Sequence, residues 1–218
     1  MNFDGIAPHY TLLESVTAGR SVHRCRTAYI DSLAHSDRLL LMGEGTGRFL
    51  TDLLRRWPDK QVTVVDSSRR MLTRQRQSLE KANLADDRVE FLHRDARRWN
   101  PPSGGYDAIV THFFLDCFNA EELAALIPAI AVGARPGAIW LVSDFNRPDR
   151  LFSGWRAGVI LRLMYGFFRA TTDLSADRLI PPGAQLEAAG FELRERRRRE
   201  WGLLQADLWK KTEKAPPR

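Results

Sequence analysis

Leu39-Leu40-Leu41-Met42 runs straight into Gly43-Glu44-Gly45-Thr46-Gly47, and this nine-residue stretch decides the fold. The four apolar residues are a short continuous run ended by glycine, the pattern of a strand buried on both faces. Glycines directly behind such a strand let the backbone turn sharply and approach a ligand with no Cβ in the way. Past them, Phe49, Leu50, Leu53, Leu54 and Trp57 recur at helical spacing until Pro58 stops the helix. The start of that helix is expected to offer unpaired N–H groups and a positive dipole end. Val62-Thr63-Val64-Val65 reads as a second strand, and Asp66 follows it, nineteen residues past Gly47. A carboxylate at that place accepts both hydroxyls of a ribose. The glycine triplet and the acid, each at a strand's C-terminal end, together point to a nucleoside-containing ligand.

Strand-like and helix-like segments continue to alternate outward from this core, which predicts an α/β fold with a mostly parallel sheet. Ser68 is placed to cap a helix that carries Met71, Leu72 and Leu79 inward. Val89 to Leu92 and Tyr106 to Thr111 read as the third and fourth strands. Asn119 with Glu122 three residues on is a capping box, opening a helix with Leu123, Leu126, Ile127 and Ile130 on one face. Pro136-Gly137 turns the chain into a fifth strand, Ala138 to Val142. A last helix ends at Gly190, and Phe191 to Arg199 and Leu203 to Trp209 flank Trp201-Gly202 closely enough to be an antiparallel pair. A single domain over residues 1–212 is expected, with an N-terminal helical segment 1–36, an insertion-like cover 147–177 and a frayed tail 213–218.

Composition agrees with one ordinary globular domain. The chain has 218 residues, 44% of them hydrophobic and 28% charged, enough to bury about 70% of the unfolded surface without staples. Disorder, collagen-like repeats and disulfide scaffolds are excluded. Cys25 and Cys117 are the only cysteines and form no C-x-x-C pair, so structural zinc and secreted-type disulfides are not expected. Met1-Asn2-Phe3-Asp4 carries an acid where a signal peptide has basic residues, and the apolar run 157–168 is broken by Arg162. A cytoplasmic protein with no integral membrane segment is therefore expected. The net charge of +6 comes from 28 Arg and only 5 Lys spread along the whole chain. The densest group, Arg194 to Arg199, reads as a solvated strand face because Glu195 and Glu200 are interleaved with it.

The dinucleotide fingerprint G-x-G-x-x-G would need glycine where Arg48 stands. The spacing G-x-G-x-G instead resembles class I S-adenosylmethionine-dependent methyltransferases. Asp95-Ala96 resembles that family's acid for the adenine amino group, Tyr106-Asp107-Ala108-Ile109-Val110 its fourth-strand motif, and Arg135-Pro136-Gly137-Ala138 the turn before strand five. The resemblance covers residues 38 to 210 and implies a Rossmann-like seven-stranded, mostly parallel sheet with an antiparallel C-terminal strand pair. It implies S-adenosyl-L-methionine as cofactor, with contacts from Gly43, Glu44, Gly45, Thr46, Gly47, Asp66, Ser67, Met71, Asp95, Ala96, His112 and Phe113. Phe3-Asp4-x-Ile6-Ala7-x-x-Tyr10, with Gly19 and His23-Arg24, resembles the N-terminus of the ubiquinone/menaquinone C-methyltransferase group and adds Tyr10 to the contacts. One departure stands out: the family places an acid two residues before the first glycine, and here that residue is Leu41.

The fourth strand leads into Thr111-His112-Phe113-Phe114-Leu115-Asp116-Cys117-Phe118. The Asn/Asp-Pro-Pro-aromatic signature of enzymes that methylate exocyclic amines is absent, which argues against a nucleic-acid acceptor. His112 and Asp116 are the catalytic candidates, because they leave the sheet where the methyl group should point. Phe113, Phe114 and Phe118, with the apolar arc of residues 152–168, favour a small aromatic or lipid-like acceptor methylated at oxygen or carbon. Arg150, Arg156, Arg162 and Arg169 on that arc would suit peripheral contact with anionic lipid. No metal-ligand cluster is apparent, and the oligomeric state is not legible. An NAD(P)-dependent oxidoreductase and a non-catalytic cofactor-binding domain are the alternatives.

Overall fold

The computed structural model describes residues 19–146 and 179–213. Tyr10, the first half of the segment 1–36, the cover 147–177 with its apolar arc, and the end of the tail lie outside the described residues. Seven strands form one sheet in the order β3-β2-β1-β4-β5-β7-β6. They are β1 (Arg38–Met42), β2 (Gln61–Asp66), β3 (Val89–His93), β4 (Tyr106–His112), β5 (Ala134–Phe145), β6 (Phe191–Arg199) and β7 (Leu204–Lys211). The first five are mutually parallel, and β7 pairs antiparallel with both β5 and β6. The expected Rossmann-like sheet with an antiparallel C-terminal pair is therefore the observed one.

Five helices accompany the sheet among the described residues: α1 (Gly19–Arg26), α2 (Arg48–Arg56), α3 (Arg69–Lys81), α4 (Ala120–Ala131) and α5 (Gly183–Ala188). The period of two along β1 divides the core. Leu39 and Leu41 pack with α1, α2 and α3, while Leu40 and Met42 pack with α4 and α5 on the other face. Each helix has its local reason. The Ser68 hydroxyl accepts the Met71 N–H at 3.2 Å to start α3. At α4, Asn119 and Glu122 complete the capping box in both directions.

The fifth strand begins earlier than its apolar run suggests. Tyr106 already pairs with Ala134, then the register jumps so that Ala108 faces Ile139. Pro136-Gly137 is thus a bulge inside the strand, with Gly137 at φ +77°, and not a turn before it. Beneath this bulge Asp107 is buried. Its Oδ2 accepts the Asp37 and Arg38 N–H groups at 2.7 and 2.9 Å, and its Oδ1 meets Arg135 at 2.7 Å. These bonds fasten the start of β1 to β4 at the edge remote from the glycine loop. Asp107→Ala strands two backbone donors and should lower unfolding stability by about 3 kcal/mol. Urea titration of parent and variant measures it, and an unchanged midpoint would show that the ties carry no stability.

Candidate active site

The described residues singled out from the sequence gather along one edge of the sheet, at the C-terminal ends of β1 to β4. In open α/β sheets ligands bind at that edge, where the strand order reverses, here between β1 and β4. The glycine loop leaves β1 with Gly43, Gly45 and Gly47 at φ +62°, +68° and +84°. A Cβ on Gly47 would stand 2.9 Å from the Gln75 Cα, so only glycine permits this loop to lie against α3. The same helix holds the loop through two side chains that no motif advertised. Gln75 Nε2 donates to the Gly45 carbonyl at 3.0 Å, and Ser78 Oγ to that of Thr46 at 2.9 Å. On the other side a Cβ on Gly43 would overlap the Phe114 ring.

Glu44 corrects the expectation of open N–H groups at the start of α2. Its carboxylate Oε1 accepts the N–H groups of Phe49 and Leu50 at 2.9 and 3.2 Å. Two of the donors that would hold a phosphate are therefore satisfied internally, by a group that also repels one. Leu41, at the place of the family's usual acid, is sealed in the apolar cluster on α2's side of the sheet. A dinucleotide's pyrophosphate is disfavoured at such a loop, whereas a sulfonium cation is not.

Asp66 ends β2 and is buried; its Oδ1 accepts the Ser68 N–H at 2.9 Å, which fixes the carboxylate's orientation. Ser67 follows at the turn, where its carbonyl meets His93 Nε2 at 2.9 Å. Met71 is buried in the first turn of α3. Asp95, beyond β3, is held by Arg97 through a 2.6 Å ion pair and a 3.0 Å backbone bond. The Arg97 guanidinium keeps the Asp95 carboxyl down at about 2, so it is ionised at neutral pH. Ala96 is buried beside it, against the α4 layer.

The end of β4 is less open than its polar residues suggest. His112 is buried with its ring edge-on to Phe49 at 4.6 Å, and neither ring nitrogen has a hydrogen-bond partner. Burial, helped by Arg26, pushes its pKa well below the ordinary value, so the ring stays neutral. Phe113 takes φ +53° and passes its N–H to the Ser143 carbonyl at 2.6 Å. That bond brings the ends of β4 and β5 together and sets Asp116 beside a residue that drew no notice in the sequence, Asp144. Both acids are buried. Desolvation raises Asp116 to about 6, and raises Asp144 further because the Asp116 charge adds to it. The Asp144 oxygens approach the Phe114 and Asp116 amides without the geometry of hydrogen bonds. The two acids titrate as one coupled pair, which burial holds above the ordinary carboxylate range.

The buried His112 nitrogens and Asp144 oxygens have no hydrogen-bond partner among the described residues. Asp144 also lines a cavity with Asn146, Gln205, Asp207 and Ile180, on the β5–β7 side. Arg26, buried on α1, faces this group across the Phe113 ring at 5.3 Å. No cluster of metal-binding side chains is found among the described residues.

A parallel sheet reversing between β1 and β4, a G-x-G-x-G loop whose Glu44 caps the next helix, and an acid at the end of β2 define the class I methyltransferase fold. Residues 39–137 match the family described as "Methyltransferase domain". The chain is 34% identical over 137 residues to the demethylmenaquinone methyltransferase of Deinococcus radiodurans, covering 61% of this chain and 56% of that protein. It is 30% identical over 154 residues to the trans-aconitate 2-methyltransferase of Azoarcus sp., covering 67% and 56%. The structure of an O-methyltransferase family 2 protein from Planctomyces limnophilus, in complex with apigenin, superposes with a TM-score of 0.71 at 16% identity, covering 96% of this chain and 62% of that one. The chain spans about half the length of the curated relatives it matches. It carries a methyltransferase domain of the class I, S-adenosyl-L-methionine-dependent kind.

Proposed function

We propose that the domain transfers the methyl group of S-adenosylmethionine to an oxygen or an activated carbon of a small aromatic or lipid-like acceptor, with Asp116 as general base. The observation that carries this is the buried Asp116–Asp144 pair where β4 and β5 leave the sheet, its acids pushed up by desolvation. When bound, the cofactor supplies an electrophilic methyl on a good leaving group, so alignment and exclusion of water are the protein's main tasks. Gly43 to Gly47 line the methionine end, Asp66 accepts the ribose hydroxyls, and Asp95 with Ala96 borders the adenine. Ser67, Met71 and Phe113 fill the space between them. His112 stays neutral and offers a nitrogen to the ligand without competing for the proton.

Asp116 then takes the proton of a phenol, enol or similarly acidic acceptor as the methyl arrives, its affinity for that proton raised by burial. The aromatic lining supports a flat or apolar acceptor: Phe114 meets Phe118 at 5.1 Å and Phe113 meets Phe145 at 5.0 Å, both edge-on. The relatives' names supply candidates, demethylmenaquinone among them. Radiolabelled methyl transfer, assayed against quinols, phenols, small carboxylic acids, amino acids and RNA, tests the reading. Phenolic and quinol acceptors should turn over fastest. Preference for RNA or free amino acids would overturn the acceptor class, and transfer to none of them would favour a binding domain without catalysis.

A further inference from the structure

Glu200-Trp201-Gly202 joins β6 to β7, and Trp201 is 78% exposed, the most exposed large apolar side chain among the described residues. The backbone keeps it so. Glu200 and Trp201 are consecutive non-glycine residues at φ +49° and +61°, a region that side chains avoid. The turn is nevertheless tied down on both sides. The Asn146 N–H donates to the Leu203 carbonyl at 2.7 Å, its Nδ2 to that of Gly202 at 2.9 Å, and Ser21 Oγ to Glu200. A turn with two non-glycine residues at positive φ, tied on both sides, thus holds the indole outward.

Charge is graded along β6 toward this tip. Arg194, Arg196 and Arg197 are neutralised by Glu192, Asp207 and Glu195. Arg198 meets only the neutral Gln205, and neither it nor Arg199 pairs with a carboxylate among the described residues. Arg20 and Arg24 are exposed on α1, the helix whose Ser21 binds Glu200. The tip thus joins one exposed indole to a strand end and a helix that carry four exposed arginines with no carboxylate partner among the described residues. It also stands at the end of β5, next to Asn146 and the cavity that Asp144 lines.

We infer that the Trp201 turn, with Arg198, Arg199, Arg20 and Arg24, docks the protein on an anionic lipid surface with the mouth of the site turned toward it. An indole with one polar N–H suits the boundary between headgroups and acyl chains, and the guanidinium groups suit the negative surface potential. Docking is independent of which acceptor is methylated, so the proposal goes beyond the function above and does not rest on it.

Flotation of the full chain with vesicles of pure phosphatidylcholine, and of phosphatidylcholine with roughly a third phosphatidylglycerol, tests the proposal. The parent should float with the anionic vesicles only and release at high salt. Trp201→Gly suits the left-handed backbone and keeps the turn, so it should unfold no earlier than the parent yet bind about tenfold more weakly. Replacing Arg198 or Arg199 by serine should weaken binding roughly fivefold each. No flotation of the parent would overturn the proposal. So would parent-like binding by Trp201→Gly, or equally tight, Trp201-independent binding to mixed-sequence duplex DNA, which would mark a polyanion site instead.

Discussion

Asp116→Asn should lower turnover about a hundredfold or more, in line with the loss of a general base, while affinity for S-adenosylhomocysteine stays near the parent's. The pH profile gives the sharper reading. In the parent, the rate should climb between about pH 5 and 7 as the Asp116 carboxyl, raised to about 6 by burial, ionises. The asparagine variant should lose that limb. Stability carries the opposite sign. The folded protein keeps a proton that the unfolded chain releases above about pH 4, so stability falls as pH rises from there through about 6. That loss should flatten in the variant. A variant with parental turnover and an intact limb would leave alignment alone as the source of rate.

Asp66→Ala should weaken S-adenosylhomocysteine binding ten- to a hundredfold, the cost of two charge-assisted hydrogen bonds to ribose. Calorimetric titration reads it directly. The carboxylate is buried and oriented by the Ser68 N–H, so nothing nearby is placed to substitute for it. Unchanged affinity would move the ribose away from the end of β2. NADH should not bind measurably to the parent, since Glu44 occupies the helix donors that a pyrophosphate would use.

How much of this was legible in the sequence follows from the range of each signal. The glycine loop, Asp66, the Ser68 cap and the Asn119–Glu122 box are local patterns, and all four are where spacing put them. The ligand roles of the first two remain proposals. Asp144 carries no local signal: one acid in Leu141-Val142-Ser143-Asp144-Phe145 looks like the frayed end of a strand. It matters only because His112 registers with Ser143 across β4 and β5, a long-range fact. Arg26 has the same difficulty, since α1 reaches the site only through the tertiary fold. Glu44 was noticed as an acid between glycines, but its reach to the Phe49 and Leu50 amides depends on three residues at positive φ. The bulge at Pro136-Gly137 was read as a turn because sequence shows the breaker and not the pairing on both sides of it.

The sheet order also sets when the site can exist during synthesis. β7 lies between β5 and β6, so a strand made after both of its neighbours fills an interior slot. It brings Asp207, which takes both arms of Arg196 at 2.8 Å, and Gln205 beside Asp144. Until that strand leaves the ribosome, β5 has an open edge, the cavity lacks a wall, and the tip bearing Trp201 has no second leg. A nascent chain that already holds a complete glycine loop is thus still without the other half of its site. Protein-quality machinery that senses open sheet edges would therefore meet every chain interrupted before β7.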